Sequence, residues 1–369
     1  MKKVLIISAT DKIGGAEIVL NDFLKENNEH IFYILTNNQI DIKNFYCESL
    51  IINNIFINNN FGGYYFKRKP FKSIKKLYQA IKEIDKIVKE KKIDVLYGNN
   101  TKDLFIVALY KTFINSNIKI ISHIHDMLNG VLHKIFFTLF GNRINLYITP
   151  SKACASILVK HGVGKSKIHC IHNGINMQRY IKVSKKFNKD IINIGFVGRI
   201  SKLKRLDIFV NVLKVLKNKN DKKYKGYVVG PIEDEVYFIN QKIDKLSNIK
   251  YLGNKENNEL INNIYPQISA LLLCSDSDTL PTVVLEAMSF GCIVFARNVD
   301  GVPEIITDGK DGIIFDYHVK PEEVADIIMK TFDDIAYIDY LSKNAIDKIE
   351  KKFSNIIKRN KINGFIEGV

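Results

Sequence analysis

The chain contains no apolar run approaching the ~18–20 residues that a membrane span requires, and its opening, MKKVLIISAT, reads as a lysine-led strand rather than a secretion signal. Its five cysteines, at 47, 154, 170, 274 and 292, form no CxxC pair and are odd in number. That spacing argues against a disulfide framework and for reduced thiols in a cytoplasm. No repeat at solenoid periods and no low-complexity segment is present. GxGxxG is missing too, which leaves dinucleotide binding without support. The sequence carries no recognised nucleic-acid motif, and most of its aromatic residues fall on core periods.

What is present is a globular composition, 46% hydrophobic and 25% charged, in 369 residues. That length accommodates two α/β domains, each with its own core. The net charge of +16 is unevenly shared: residues 1–180 carry 26 Lys/Arg against 13 Asp/Glu, and the remainder 29 against 26. The N-terminal half is therefore expected to meet something anionic. Between Lys67 and Lys92 there are eleven Lys/Arg against three acids, preceded by the aromatic loop Phe61–Phe66. Rings beside lysines suit a membrane interface, so 61–92 is expected to touch an anionic membrane surface. A solvated helix face is the plainer alternative.

Continuous apolar runs alternate with three-and-four-spaced apolar patterns, as parallel strands and their crossover helices do. The polar residues of interest fall where strands end. Val4–Ser8 runs into Gly14-Gly15, a pair that lets a ligand approach the backbone. Ile118–Ser122 ends in His123-Ile124-His125-Asp126, which could serve as ligands, as catalytic groups or as a helix cap. No further set at metal spacing accompanies it, so no metal is expected. Ile191–Val197 delivers Arg199 and Lys204 into one loop; a planar fork and a point charge together suit a diphosphate, though a basic surface loop reads the same way. From Cys274 to Phe315 a strand end is followed by an acidic loop with Asp276 and Asp278, then by a helix opened by Pro281. The amides of Thr282 and Val283 would face that loop, where the helix dipole favours an anion. Glu286 lies one turn deeper on the same face.

Taken in order, these motifs resemble those of glycosyltransferase family four, the retaining two-Rossmann-domain (GT-B) sugar transferases. The resemblance rests on Gly14-Gly15, His125-Asp126, His172-Asn173-Gly174-Ile175-Asn176, Gly198-Arg199 with Lys204, and Gly230-Pro231. It continues through Leu252-Gly253-Asn254, Asp278 with Glu286-Ala287-Met288 and Gly291, and Gly301-Val302-Pro303-Glu304. Two positions depart from the pattern: Asp278 stands where the family usually has Glu, and Arg205 where it has Gly.

The resemblance implies an α/β fold of two doubly wound domains facing across a crevice. Residues 1–176 would bind acceptor, 177–190 would link, 191–345 would bind the nucleotide sugar, and 346–369 would form a helix packing back on the first domain. It implies catalytic roles for Arg199, Lys204, His125 and Asp278. Donor contacts would come from Gly14, Gly15, Gly198, Gly230, Asn254, Leu280, Thr282, Val283 and Glu286, with Asp126 and Asn173 toward the acceptor. The expected activity is retaining transfer from a nucleotide diphosphosugar, UDP favoured, to a glycan or lipid-linked acceptor. It would need no metal and no cofactor, and would serve bacterial surface polysaccharide assembly from the cytoplasm, on the inner face of the plasma membrane. A GT-B epimerase or phosphorylase is the competing enzyme reading. A basic nucleic-acid binder is the competing non-enzyme, although no nucleic-acid partner is expected.

Overall fold

A computed structural model describes residues 1–8, 15–25, 27–36, 70–128, 130–177, 185–188, 190–220 and 223–369. The chain divides into two compact units, Met1–Asn173 with Asn355–Val369, and Gly174–Ser354.

The first unit runs β1 (Lys3–Ser8), α1 (Gly15–Leu24), β2 (Ile31–Thr36), α2 (Pro70–Lys91), β3 (Val95–Gly98), α3 (Thr101–Phe113), β4 (Lys119–His123), α4 (Val131–Phe140), β5 (Leu146–Thr149), α5 (Lys152–Lys160) and β6 (Ile168–Cys170). Its six strands are parallel in the order β2-β1-β3-β4-β5-β6. Val4–Ser8 is buried throughout, because helices cover both faces of the sheet. Ile84, Ile87 and Val88 of α2 and Leu104, Val107 and Ala108 of α3 fill one face. The other face is filled by Leu20, Phe23 and Leu24 of α1 together with Ile362 and Ile366 of the last helix, Asn355–Gly368. Asn27 and Asn363 exchange amide hydrogen bonds of 3.1 and 3.0 Å, which fix that helix to this unit.

The second unit runs β7 (Ile192–Val197), α6 (Leu206–Lys219), β8 (Tyr224–Val229), α7 (Glu235–Asn240), β9 (Ile249–Tyr251), β10 (Ala270–Leu273), α8 (Thr282–Ser289), β11 (Ile293–Arg297), α9 (Val302–Ile305), β12 (Ile313–Phe315), α10 (Pro321–Asp333) and α11 (Ile335–Lys352), and the helix 355–368 of the first unit is α12. Its sheet is also parallel, in the order β12-β11-β10-β7-β8-β9. This is the doubly wound order in which the chain starts in the middle and winds outward both ways. Its switch point lies between β7 and β10, which pair through Ala270–Ile194 and Leu271–Gly195. Ligands of such sheets bind beyond the strand C-termini at that point.

The units divide at 173/174 and 354/355 rather than at the 176 and 345 read from sequence. Helix α11 passes unbroken through 345, because Leu341, Ala345 and Ile349 form one buried stripe at helical spacing. Of the segment read as a linker, Lys185 is anchored, donating to the Tyr265 carbonyl at 2.8 Å. No described helix is long and apolar enough to cross a membrane. Among the described residues, Cys154, Cys170, Cys274 and Cys292 form no disulfide.

Candidate functional site

The loop leaving β7 begins at Gly198 (φ 142°) and carries both cations singled out in the sequence. Arg199 is exposed and pairs with Glu233 at 2.8 Å. Lys204 ends a single 3-10 turn, Lys202–Lys204, and turns inward. Its ammonium donates to Asp278 Oδ2 at 2.5 Å, with both side chains largely buried. The β7 and β10 loops thus meet at the switch point through Lys204 and Asp278. The Ser275 hydroxyl donates to the same carboxylate oxygen at 3.3 Å. From the far side, Asp300 accepts the Asp278 backbone amide at 2.9 Å and the Ser277 hydroxyl, which fixes the acidic loop.

Sequence reasoning missed the network beneath this loop. Arg205 sits in the left-handed region (φ 53°, ψ 51°), where an L side chain is strained and glycine is not. That explains the glycine usual at this position. Arg205 offsets the strain with bonds to Asp207 at 2.8 and 2.9 Å and to Asp276 at 3.1 Å. Asp276 also accepts from the Tyr317 hydroxyl at 3.0 Å and from buried Arg297, whose guanidinium lies 3.7 Å from the centre of the Tyr317 ring. Asp276 is therefore the brace of the acidic loop, while Asp278 is the member that meets Lys204.

Helix α8 follows. Pro281 proves to be its N-cap (ψ 113°) rather than its first helical residue, so Thr282 and Val283 open the helix. Their amides precede the first intrahelical acceptor and stay available. Both side chains are half-buried. The Leu280 side chain is buried in the core, which leaves only its backbone for a ligand. Glu286 is buried, and it accepts from the Tyr265 hydroxyl at 2.5 Å and from Asn257 at 3.5 Å. Tyr265 belongs to no motif, and only the fold brings it to Glu286.

The glycines at the neighbouring strand ends have distinct reasons. At Gly230 (φ 140°) a Cβ would stand 2.0 Å from the Gly198 carbonyl oxygen, so the two loops could not close together. At Gly198 a Cβ would meet nothing within 4 Å, and only the positive φ demands glycine. The Gly253 carbonyl accepts the Gly230 amide at 3.0 Å, and Asn254 beyond it is exposed.

In the first unit, Gly14 lies outside the described residues. Gly15 opens α1 with open space where a Cβ would stand. His123 ends β4, buried, with its Nδ1 2.7 Å from the Tyr97 hydroxyl. The His125 ring lies 4.0 Å from that of His123. Burial, and then the charge of Lys358 on α12, hold His125 far below the ordinary imidazole range, at about 3. Burial likewise lowers His123, with smaller contributions from His125 and Lys358. His125 is thus a neutral imidazole throughout the physiological range. Asp126 is exposed and accepts from Thr101 at 3.2 Å, and Asn173 is buried. Asp126 is separated from His125 by one peptide bond, whereas Asn173 comes to this unit from beyond β6.

With this geometry, the description Glycosyl transferases group 1 matches residues 177–348, and Glycosyltransferase Family 4 matches 41–179. The chain belongs to the family-four glycosyltransferases. This glycosyltransferase is similar to a 41.2 kDa protein of the Klebsiella pneumoniae cps region, 28% identical over 340 residues, 85% of this chain and 86% of that one. It also resembles, at 24% identity over 155 residues and 40% of each chain, the Campylobacter jejuni α-1,4-N-acetyl-D-galactosaminyltransferase whose name includes a PP-undecaprenol saccharide. Its fold matches that of Anabaena HepE solved with UDP-glucose, at TM-score 0.76 and 18% identity over the whole of both chains. The two parallel six-stranded sheets are those of a GT-B glycosyltransferase.

Proposed function

We propose that this glycosyltransferase moves a hexose from a UDP-sugar to a glycan or lipid-linked acceptor, with retention, in bacterial surface polysaccharide assembly. The observation that carries the reading is the convergence of Lys204, Asp278 and the opening of α8 at the switch point, with Arg199 on the same loop. The cations and the free amides of Thr282 and Val283 would take the diphosphate. Glu286, oriented by Tyr265, would accept from ribose hydroxyls. Asp278 would face the sugar. The fold neighbour holding UDP-glucose supports the choice of UDP, and the relatives from a cps region and of PP-undecaprenol chemistry support the class of acceptor.

In the reaction, an acceptor hydroxyl oxygen attacks the anomeric carbon from the face that the diphosphate leaves. The bond from that carbon to the phosphate oxygen breaks, and the hydroxyl proton passes to the departing diphosphate. Arg199, Lys204 and the α8 amides stabilise the charge that develops there, so no divalent ion is needed. Neutral His125 can donate or accept one hydrogen bond at the transferred sugar without introducing a charge.

The test is a thermal-shift panel of UDP-, GDP- and dTDP-sugars, repeated with EDTA. A rise in melting temperature with UDP-sugars that survives EDTA is expected, followed by a product that keeps the donor's anomeric configuration. Absence of a shift with every nucleotide sugar would overturn the reading, and conversion of the nucleotide sugar with no glycosylated acceptor formed would favour the epimerase alternative.

A further inference from the structure

Helix α4 reads VLHKIFFTLF and is apolar on two opposite faces. One face is spent on the core: Phe136 and Phe137 are buried, with Phe136 4.0 Å from Phe105 of α3 and Phe137 5.9 Å from Tyr147 of β5. On the other face Val131 is 75%, Leu132 71%, Ile135 50% and Leu139 65% exposed. Their spacing of one, four and eight residues makes them a single stripe. Helix α3 packs beside α4, and its end meets the turn 141–143 that follows α4. At that end Phe113 is 70% and Ile114 48% exposed. Isolated exposed apolar residues need no explanation, but six large ones on two adjoining helices mark a surface that something covers.

Charge decides what covers it. Residues 104–173 contain eight lysines and arginines and a single acid, Asp126. Lys134 lies exposed on α4 itself. Lys119, Lys167 and Arg143 stand close enough to Lys111 that, after burial, their repulsion helps pull its ammonium down to about 8. A second copy of the chain would bring this same unbalanced set of cations against itself. Asp126, exposed and close enough to His133 of α4 to act on it, is the one acid of that stretch, so the cations beside the stripe are in excess. An apolar stripe with such an excess complements a bilayer whose headgroups carry negative charge, with side chains entering the headgroup boundary and ammonium groups on the phosphates.

We propose that the exposed face of α4, with the end of α3, is a docking surface for an anionic membrane. It is a different stretch of sequence from the basic segment 61–92, of which residues 61–69 lie outside the described residues. The proposal does not depend on the sugar-transfer reading, since its readout is lipid binding.

Flotation with vesicles of phosphatidylglycerol and phosphatidylethanolamine, against pure phosphatidylcholine, at low and high salt, tests it. Wild type should float with the anionic vesicles at low salt. Leu132→Asp with Ile135→Asp should lower binding by about tenfold or more. Lys134→Glu with Arg143→Glu should lose the salt-sensitive part. All four side chains are exposed, so unchanged melting temperatures and UDP-sugar shifts should show the variants folded. Wild type that does not float, or floats equally on phosphatidylcholine, overturns the proposal. So does an apolar double variant that binds as well as wild type while Lys72→Glu/Lys75→Glu/Lys76→Glu abolishes binding. Light scattering that finds a wild-type dimer dissolved by the apolar variant would assign the face to a second copy instead.

Discussion

Lys204 and Asp278 are separated by 74 residues along the chain and by 2.5 Å between side chains. The pair stitches the two loops of the switch point together, and it also holds an ammonium group in place before any ligand arrives. Asp278→Asn should therefore leave UDP affinity within about threefold, because the cation proposed to meet phosphate survives, while turnover with the sugar falls by about 10²-fold or more. Titration calorimetry with UDP beside a turnover assay checks this. A parallel loss in both quantities would contradict the division of roles.

Glu286 and Tyr265 form the second pair of the site. Glu286→Ala should weaken UDP binding by about tenfold or more, and Glu286→Gln by less, since an amide still accepts from a hydroxyl. Tyr265→Phe should fall between wild type and Glu286→Ala in affinity and leave the nucleotide preference unchanged. If Tyr265→Phe binds UDP like wild type, the tyrosine does not orient the carboxylate.

Arg205 supplies a stability test with two variants that lose the same guanidinium. Arg205→Gly also removes the left-handed strain, whereas Arg205→Ala keeps it. The glycine variant should be more stable by about 1 kcal/mol, visible as a higher urea midpoint. Equal midpoints would mean that the backbone relaxes when the Asp207 and Asp276 bonds are lost.

Lys358 is buried in the first unit, and burial pulls its ammonium from 10.5 to about 7, partly countered by Asp22. Between pH 7 and 10.5 the unfolded chain binds a proton that the folded chain has released, so this residue makes stability rise with pH across that window. Below pH 7 its cost is fully present. Lys358→Met should accordingly stabilise the protein by about 2–5 kcal/mol near pH 6, with the gain shrinking toward pH 10. Melting curves of both proteins at pH 6 and 9.5 decide it, and a gain independent of pH would contradict the assignment.

The sheets were readable in advance because parallel strands buried on both faces leave unbroken apolar runs, as Val4–Ser8 and Ile192–Val197 do. Arg199, Lys204 and Asp278 could be singled out as candidates for a related reason. They stand in the loops that follow β7 and β10, with Glu286 one turn into the helix after them, and ligands of doubly wound sheets bind beyond such strand ends. What could not be read depends on partners remote in sequence. Asp276 meets Arg205 from 71 residues away, and Tyr265 meets Glu286 from 21, with no spacing rule to announce either. The exposed stripe of α4 was hidden for the opposite reason. Apolar residues at helical spacing read as core, and composition does not tell which of two apolar faces the sheet will take. The division at 354/355 was obscured by α11, whose buried stripe continues through the expected boundary.

The account stands most directly on the loop cations. With the UDP-sugar that gives the largest thermal shift, Arg199→Ala and Lys204→Ala should each lower turnover by about 10²–10³-fold. The melting temperature should stay near that of wild type for exposed Arg199→Ala and fall for Lys204→Ala, which leaves the Asp278 carboxylate without its ammonium, while both proteins still unfold cooperatively. Two folded variants that turn over at the wild-type rate would place the diphosphate elsewhere and contradict the account.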